Sequence, residues 1–429
     1  MNATSTALQH AAPGAFLQTN PFALLTLSNA CADRIVVASR DIVDQQGSKL
    51  WARDLRVTPE LHQRLIQRKL RQPLETSLRV EDGVSTETLL HDLQALIDGD
   101  DPLANLFRPC AQALHSGLKT LPLHPVVQLL LTAAQQITPA SYQHALRASA
   151  LAGALAWHAK APTAFLQRAM LVGLLHDLGE MYVNPDYLQA GRQLDLAEYR
   201  QLAAHPHVGA MLLTQMTDYP AEIARAVCEH HERLDGTGYP FQLLGASLSP
   251  LGQLMAVAEL ALGIVDARPA APARASFALK FVPGEFSGLW AGPVTHWADT
   301  EPRIEPDAAQ ADAAITESGA LDAGLQRMQS MAESVAGTLE GASQRVALRA
   351  AHRLRRLRIA WNAMGLWSLP EADIEPQERF DIALAMRELR YRIGSIGRDC
   401  LWSETDLAVQ ADAKLVPLWL TLALAGKAR

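Results

Sequence analysis

The chain has 429 residues, of which 49% are hydrophobic and 19% charged. That is too long for one ordinary core and too apolar for a disordered polymer, so two or three domains are expected. A net charge of −7 offers no general attraction for a polyanion, and no nucleic-acid polymer is expected as a partner.

Residues 1–20 read as a loose tail without the basic start and apolar run of a secretory signal. Ile35-Val36-Val37 is a short β-branched run, Gly47 marks a turn, and Leu50-Trp51 resumes the apolar pattern. Thr58-Pro59-Glu60 predicts a helix start, with Thr as cap and Pro at the first helical position, and Leu61, Leu65 and Ile66 give that helix one apolar face. Leu78 to Val80 reads as a strand, and Ser85 opens a further helix. Residues 1–120 are therefore expected to form a small α+β module.

From Leu121 to Ile264, segments rich in Ala and Leu alternate with Pro and Gly breaks, without a period-2 run. This predicts an all-helical domain over 121–282. Residues 283–319, rich in Pro, Gly and Trp near their start, are expected to be an irregular linker. In the last region, 320–429, Leu325, Met328, Val335, Leu339, Val346, Ala350, Leu354, Leu357 and Trp361 recur at helical steps. They predict one long amphipathic helix or two collinear ones. After a break bracketed by Pro370 and Pro376, Ile382, Met386, Leu389, Ile393 and Ile396 mark a second helix, giving an antiparallel hairpin or a dimerising bundle. Leu415 to Gly426 is far shorter than the ~20 apolar residues of a membrane span. Cys31, Cys110, Cys228 and Cys400 form no CxxC pair, which fits free thiols in a reducing compartment. The fold class is mainly α, and a cytoplasmic protein without a membrane partner is expected.

The chemistry-bearing residues all fall in the middle domain: His144, His176-Asp177, His205, His230-His231-Glu232 and Glu259. Imidazole and carboxylate are ligands of divalent transition metals. His176-Asp177 follows the apolar run Ala169 to Leu175, where an unpaired imidazole and carboxylate would be costly to bury. His230 and His231, read as neighbours on a helix, would point ~100° apart and serve two neighbouring ions, or one ion and a substrate oxygen. Arg345, Arg349, Arg353 and Arg356 form a basic stripe on the late helix, read as a solvated face beside acidic residues of a neighbouring helix.

The order HD, HP with Gly209, HHERLDGTGYP over 230–240 and Ala256-Val257-Ala258-Glu259 resembles the HD-GYP family of metal-dependent phosphohydrolases that open cyclic di-GMP. The resemblance covers roughly Ser141 to Phe281. It implies an HD-type helical bundle in which His144, His176, Asp177, His205, His230, His231 and Glu259 bind two divalent metals, iron or manganese before zinc, with Asp177 bridging them. A hydroxide between the metals would attack phosphorus. Tyr239 and Arg268 would contact a cyclic dinucleotide substrate, and Asp177 and Glu180 are the candidate catalytic carboxylates. Four positions depart from the family pattern. Glu180 stands where a lysine is usual, Glu259 replaces an aspartate, and small residues around Ala271 replace a basic one. Ala140 replaces the glutamate of three-metal members. The first three leave a second function open, a signalling module that hydrolyses nothing and acts on a protein partner through the C-terminal helices.

Overall fold

The structure, a computed structural model, describes residues 16, 18–30, 34–58, 61, 64–65, 68–189, 192–266, 271–300, 308–365, 374–401 and 414–427. Its first element, α1 (Pro21–Ala30), starts where Asn20 Oδ1 accepts from the backbone N–H groups of Phe22 and Ala23 at 2.9 and 3.1 Å. Asn as cap with Pro in the first turn was a readable signal that the sequence reading passed over. Two antiparallel pairs follow. β1 (Val36–Ala38) pairs with β4 (Leu78–Val80), Val36 opposite Val80, and β2 (Ile42–Val43) pairs with β3 (Lys49–Trp51). β1 and β4 fall on the β-branched run at Ile35–Val37 and the strand expected at Leu78–Val80, whereas β2 was not anticipated. Of the helix expected from Thr58, the described residues Leu61, Arg64 and Leu65 are helical, and both leucines are buried.

Ser85 caps α2 (Thr86–Asp98) in a reciprocal box with Thr88, the two side chains satisfying each other's backbone N–H at 3.2 and 3.3 Å. After the short α3 (Ala104–Phe107) come α4 (Ala111–Lys119), α5 (Pro125–Ile137), α6 (Pro139–His158) and α7 (Thr163–Leu175). The all-helical pattern from residue 121 is thus observed, continued by α8 (Leu196–Ala203), α9 (His205–Met216), α10 (Ala221–Glu229) and α11 (Pro250–Asp266). Leu114 of α4 is fully buried, as are Leu151 and Leu155 of α6 and Met170 and Val172 of α7. Helices on both sides of residue 120 therefore share one core.

By contact, the described residues fall into two compact units. One draws on Met1–Gln193, Gln201–Asp266 and Phe286–Trp297, the other on Leu194–Arg200, Ala267–Glu285 and Ala298–Arg429. Within 283–319, expected to be irregular, residues 288–300 and 308–319 are helical, in α13 (Gly288–Thr300) and the start of α14 (Ala308–Ala336). In α13, Trp290, Val294 and Trp297 make a buried stripe at helical spacing, and Trp290 stacks on Phe165 with ring centroids 5.2 Å apart. Burying two indoles outweighs the ~3 kcal/mol that Pro293 costs inside the helix.

In the second unit, α14 and α15 (Gly341–Met364) are not collinear. The chain reverses between them, with Gly341 at φ +58°, and the two helices pack along each other. Glycine adopts that positive φ at the start of α15 without a steric cost, and the apolar positions continue on both sides of the reversal. α12 (Ala271–Phe281), α16 (Pro376–Leu401) and α17 (Val416–Lys427) complete the unit. Leu325, Met328, Leu354, Trp361, Ile382, Met386, Leu389 and Ile393 are all at most 3% exposed in one core. Of the basic stripe, Arg345 is exposed and the other three bind within the unit. Arg353 pairs with Asp399 at 3.2 Å, and Arg349 and Arg356 donate to the carbonyls of Cys400 and Pro283 at 3.0 and 2.6 Å. Cys110, Cys228 and Cys400 are buried free thiols. Pro370 lies outside the described residues. No described helix is long and apolar enough to cross a membrane.

Candidate metal centre

The predicted ligands come from five places in the first unit. His144 lies in the second turn of α6, His176 and Asp177 follow the last residue of α7, and His205 is the first residue of α9. His230 and His231 follow the end of α10, and Glu259 sits within α11. The two histidine-containing doublets therefore stand at helix exits, not inside helices as a simple 3.6-residue reading of His230-His231 supposed.

The backbone there orients the rings. His176 Nδ1 lies 2.8 Å from the carbonyl of Gly173, His230 Nδ1 2.6 Å from Val227, and His205 Nδ1 2.8 Å from Leu202. A carbonyl can only accept, so Nδ1 carries the hydrogen, and in the neutral ring Nε2 keeps its lone pair. The free carbonyls of a helix end thus set the tautomer that a metal ligand needs.

The Nε2 atoms converge on Asp177, whose two oxygens face different partners. Oδ2 lies 3.0 Å from His176 Nε2 and 3.5 Å from His144 Nε2, whereas Oδ1 lies 3.3 Å from His205 Nε2 and 3.4 Å from His230 Nε2. Glu259 Oε2 closes the first set, 3.3 Å from His176 and 3.5 Å from His144. Within 4.8 Å of one another lie one atom each from His144, His176, Asp177 and Glu259, then from His205, His230 and His231, and also from Asp177, Glu180 and His205. These groups could hold divalent ions, and all seven expected ligands are among them. His176 and His230 are fully buried, whereas the side chains of His144, Asp177 and Glu259 keep 22%, 17% and 18% of their surface, leaving the cluster open on one side.

Electrostatics separates the two sets. Burial would lower the pKa of His176, but Asp177 and Glu259 outweigh it and lift it to about 10. Burial likewise works against the charged forms of Asp177 and Glu259, yet the imidazoles beside them hold both well below the usual carboxylate range. In the other set burial wins, pushing His230 down and His231 well down, the latter helped by His230 itself. Those two rings are neutral at pH 7, the ligating form. Burial and the neighbouring Asp177 raise Glu180 to about 8. His176 Nε2, Asp177 Oδ1 and Glu259 Oε2 are buried without a hydrogen bond of good geometry. Uncompensated buried polar atoms are costly, and a cation among them supplies the missing partner. The mixed imidazole and carboxylate set suits transition metals over calcium.

The Asp235–Pro240 loop is built tightly beside His231. Gly236 has φ +77°, and a Cβ at Gly238 would collide with the backbone of Glu232 and Arg233. Asp235 Oδ1 accepts from the Thr237 N–H and hydroxyl at 3.1 and 2.6 Å. Glu232 is no ligand. Its carboxylate turns away to accept from the N–H groups of Phe241 and Leu243 at 2.5 and 3.0 Å. Tyr239, expected to contact the nucleotide, stacks one face of its ring on His231 with centroids 4.5 Å apart. Arg268 lies outside the described residues. The sequence reading missed Glu229, which is fully buried, pairs with Arg225 at 2.7 Å and accepts from Ser249 N–H at 2.9 Å, tying the His230-bearing α10 to α11. It also missed Tyr182, considered below.

Comparison with known proteins agrees with this geometry. Residues 128–281 match the family described as HD domain. Over 146 residues the chain is 34% identical to a cyclic di-GMP phosphodiesterase of Pseudomonas aeruginosa, covering 34% of this chain and 35% of the relative. It is 32% identical over 105 residues to a 3'3'-cGAMP-specific phosphodiesterase of Vibrio cholerae, covering 24% of each. A cyclic di-GMP phosphodiesterase response regulator of Xanthomonas campestris is 30% identical over 96 residues, or 22% of this chain and 25% of the relative. The chain thus spans between about a quarter and a third of these relatives' lengths. Residues 128–281 are therefore an HD domain, similar to those of these cyclic dinucleotide phosphodiesterases.

Proposed function

We propose that the chain is a metal-dependent phosphodiesterase that hydrolyses cyclic di-GMP at a centre of two divalent ions. The observation that supports this best is Asp177, with one oxygen toward His144 and His176 and the other toward His205 and His230. On this reading His144, His176 and Glu259 hold one ion, and His205, His230 and His231 hold the other. Asp177 spans both, and Glu180 reaches the second from the turn that follows Asp177. When bound, such ions supply a water of lowered pKa as nucleophile and neutralise charge on the phosphodiester. Iron or manganese fits the donor set.

The chain's own groups do the rest. Nδ1 anchors hold three imidazoles rigid, so little reorganisation accompanies substrate entry. The glycine loop holds Tyr239 over His231 at the edge of the cluster, where its exposed part meets a nucleotide. Arg268 is assigned to the phosphates from its place in the family pattern. Residues 121–282 carry the activity, with 1–120 and 320–429 as accessory modules of a cytoplasmic protein.

A signalling module without turnover has one specific observation in its favour, the acidic side chain of Glu180 beside Asp177 and His205 where the family pattern carries a cationic lysine. One experiment separates the readings. Protein purified anaerobically is analysed for metals, then loaded with Fe²⁺ or Mn²⁺ and given cyclic di-GMP or 3'3'-cGAMP. The proposal expects two ions per chain and opening of the cyclic di-GMP ring. Two bound ions with no turnover of either nucleotide would leave the binding module as the answer.

A further inference from the structure

The turn that presents Asp177 and Glu180 is held from its far end by residues near the start of the chain. Tyr182 closes the 3-10 turn Leu178–Tyr182. Its hydroxyl donates to Glu75 Oε1 at 2.5 Å, its carbonyl accepts from Asn20 Nδ2 at 3.0 Å, and Phe16 meets its ring edge-on with centroids 5.4 Å apart. Phe16, Glu75 and Tyr182 are 8%, 5% and 8% exposed, so water does not compete for these contacts. Phe16 and Asn20 are therefore no part of a loose tail; both are fastened to the turn beside the candidate metal centre.

The turn is stiff enough to transmit a displacement. Glu180 N–H bonds the carbonyl of Asp177 at 2.9 Å, and Val183 N–H bonds that of Glu180 at 3.0 Å. Moving Tyr182 therefore moves Glu180, two residues away, and reorients Asp177 at the turn's start. A parallel grip acts on α6, which carries His144. Tyr142 donates to Asp92 Oδ2 at 2.6 Å, and Arg147 Nε lies 3.0 Å from Asp101 Oδ2. Metal affinity follows from how well ligands are held before the ion arrives.

We propose that the N-terminal module sets the metal affinity of the second ligand set, with Glu75 and Asn20 as positioning residues that act on Asp177 and Glu180 through Tyr182. This rests on the metal-centre reading above. It makes the module an input to the site, because whatever displaces the module from Tyr182 lowers occupancy of the set formed by Asp177, Glu180 and His205.

The test titrates the full-length chain with Mn²⁺ calorimetrically, alongside melting curves in EDTA. Tyr182→Phe removes only the hydroxyl. Asn20→Asp keeps the oxygen that caps α1 but loses the donor to Tyr182. Glu75→Gln keeps an acceptor for the Tyr182 hydroxyl. In Tyr182→Phe and Asn20→Asp, one of the two Mn²⁺ sites should weaken about tenfold while the other stays within about twofold. Glu75→Gln should bind both ions nearly as the wild type does. A purely structural contact would lower the melting temperature in EDTA and leave both isotherms alone, which overturns the inference. Should Tyr182→Phe not fold, Asn20→Asp decides by the same criterion. Wild-type protein that takes up no Mn²⁺ overturns the metal-centre reading and this inference with it, whereas normal wild-type uptake with unchanged variants overturns this inference alone.

Discussion

Asp177 joins the two candidate ligand sets, because a carboxylate has two oxygens and each faces its own pair of imidazoles. Asp177→Asn keeps the shape but replaces one oxygen with a donor that cannot ligate. The expected outcome is loss of at least one ion per chain with loss of hydrolysis, read by elemental analysis and assay. His176→Ala, beside Asp177 Oδ2, should remove the first ion and hydrolysis together, and unchanged metal content in that variant counts against the assignment. Glu75 carries a pH dependence. Burial raises its pKa above the ordinary 4.5, outweighing the hydrogen bond from Tyr182. The folded chain thus holds a proton there that the unfolded chain has released, and stability falls as pH rises from about 4.5 through the raised value. Glu75→Gln has nothing to titrate. Its melting temperature relative to wild type should climb between pH 5 and pH 8, and a flat difference would contradict the shift.

Among the elements, the contact between the Leu178–Tyr182 turn and α9 brings Asp177 and Glu180 to His205. It depends on Gly179, where a Cβ would run into the carbonyl oxygen of His205 and lie 2.8 Å from Gly209 N. Backbone on both sides leaves nothing flexible to give way. Gly179→Ala should cost about 1–3 kcal/mol of stability in chemical denaturation, as overpacking does, and weaken the second Mn²⁺ site. Gly263 in α11 is the control. A Cβ there meets nothing within 4 Å, so Gly263→Ala should be neutral or stabilising by up to about 1 kcal/mol with metal binding intact.

At the scale of the whole molecule, the chain builds two separate cores. Leu354, fully buried, packs at the centre of the second. Leu354→Ala should cost about 2–5 kcal/mol through lost burial and the cavity left behind, measured as a shift in denaturant midpoint. Three arginines of the α15 stripe, Arg349, Arg353 and Arg356, are engaged by this unit's own carbonyls and by Asp399, so a polyanion has less to bind there than the sequence count of arginines suggests.

Much of this protein follows from local chemistry written along the chain. Helices over 121–266, the strands at Val36 and Leu78, the cap at Ser85 and the buried faces of α15 and α16 follow from periodicity and capping, which act over a few residues. The residues that cluster at the candidate site were legible as a set through the resemblance of the HD, HP, HH and Ala256–Glu259 motifs to one family pattern, and the structure brings them within 4.8 Å in groups. Long-range packing settled the remainder. The helical path of 288–300 against its Pro293, the fold-back at Gly341, the turn of Glu232 toward the loop and the stacking of Tyr239 on His231 each depend on which surfaces meet. So do the grip of Asn20 and Glu75 on Tyr182 and the division of Asp177 between two sets of imidazoles. A side chain's type and spacing state what it can bond to; only the folded chain decides which partner is within 3 or 4 Å.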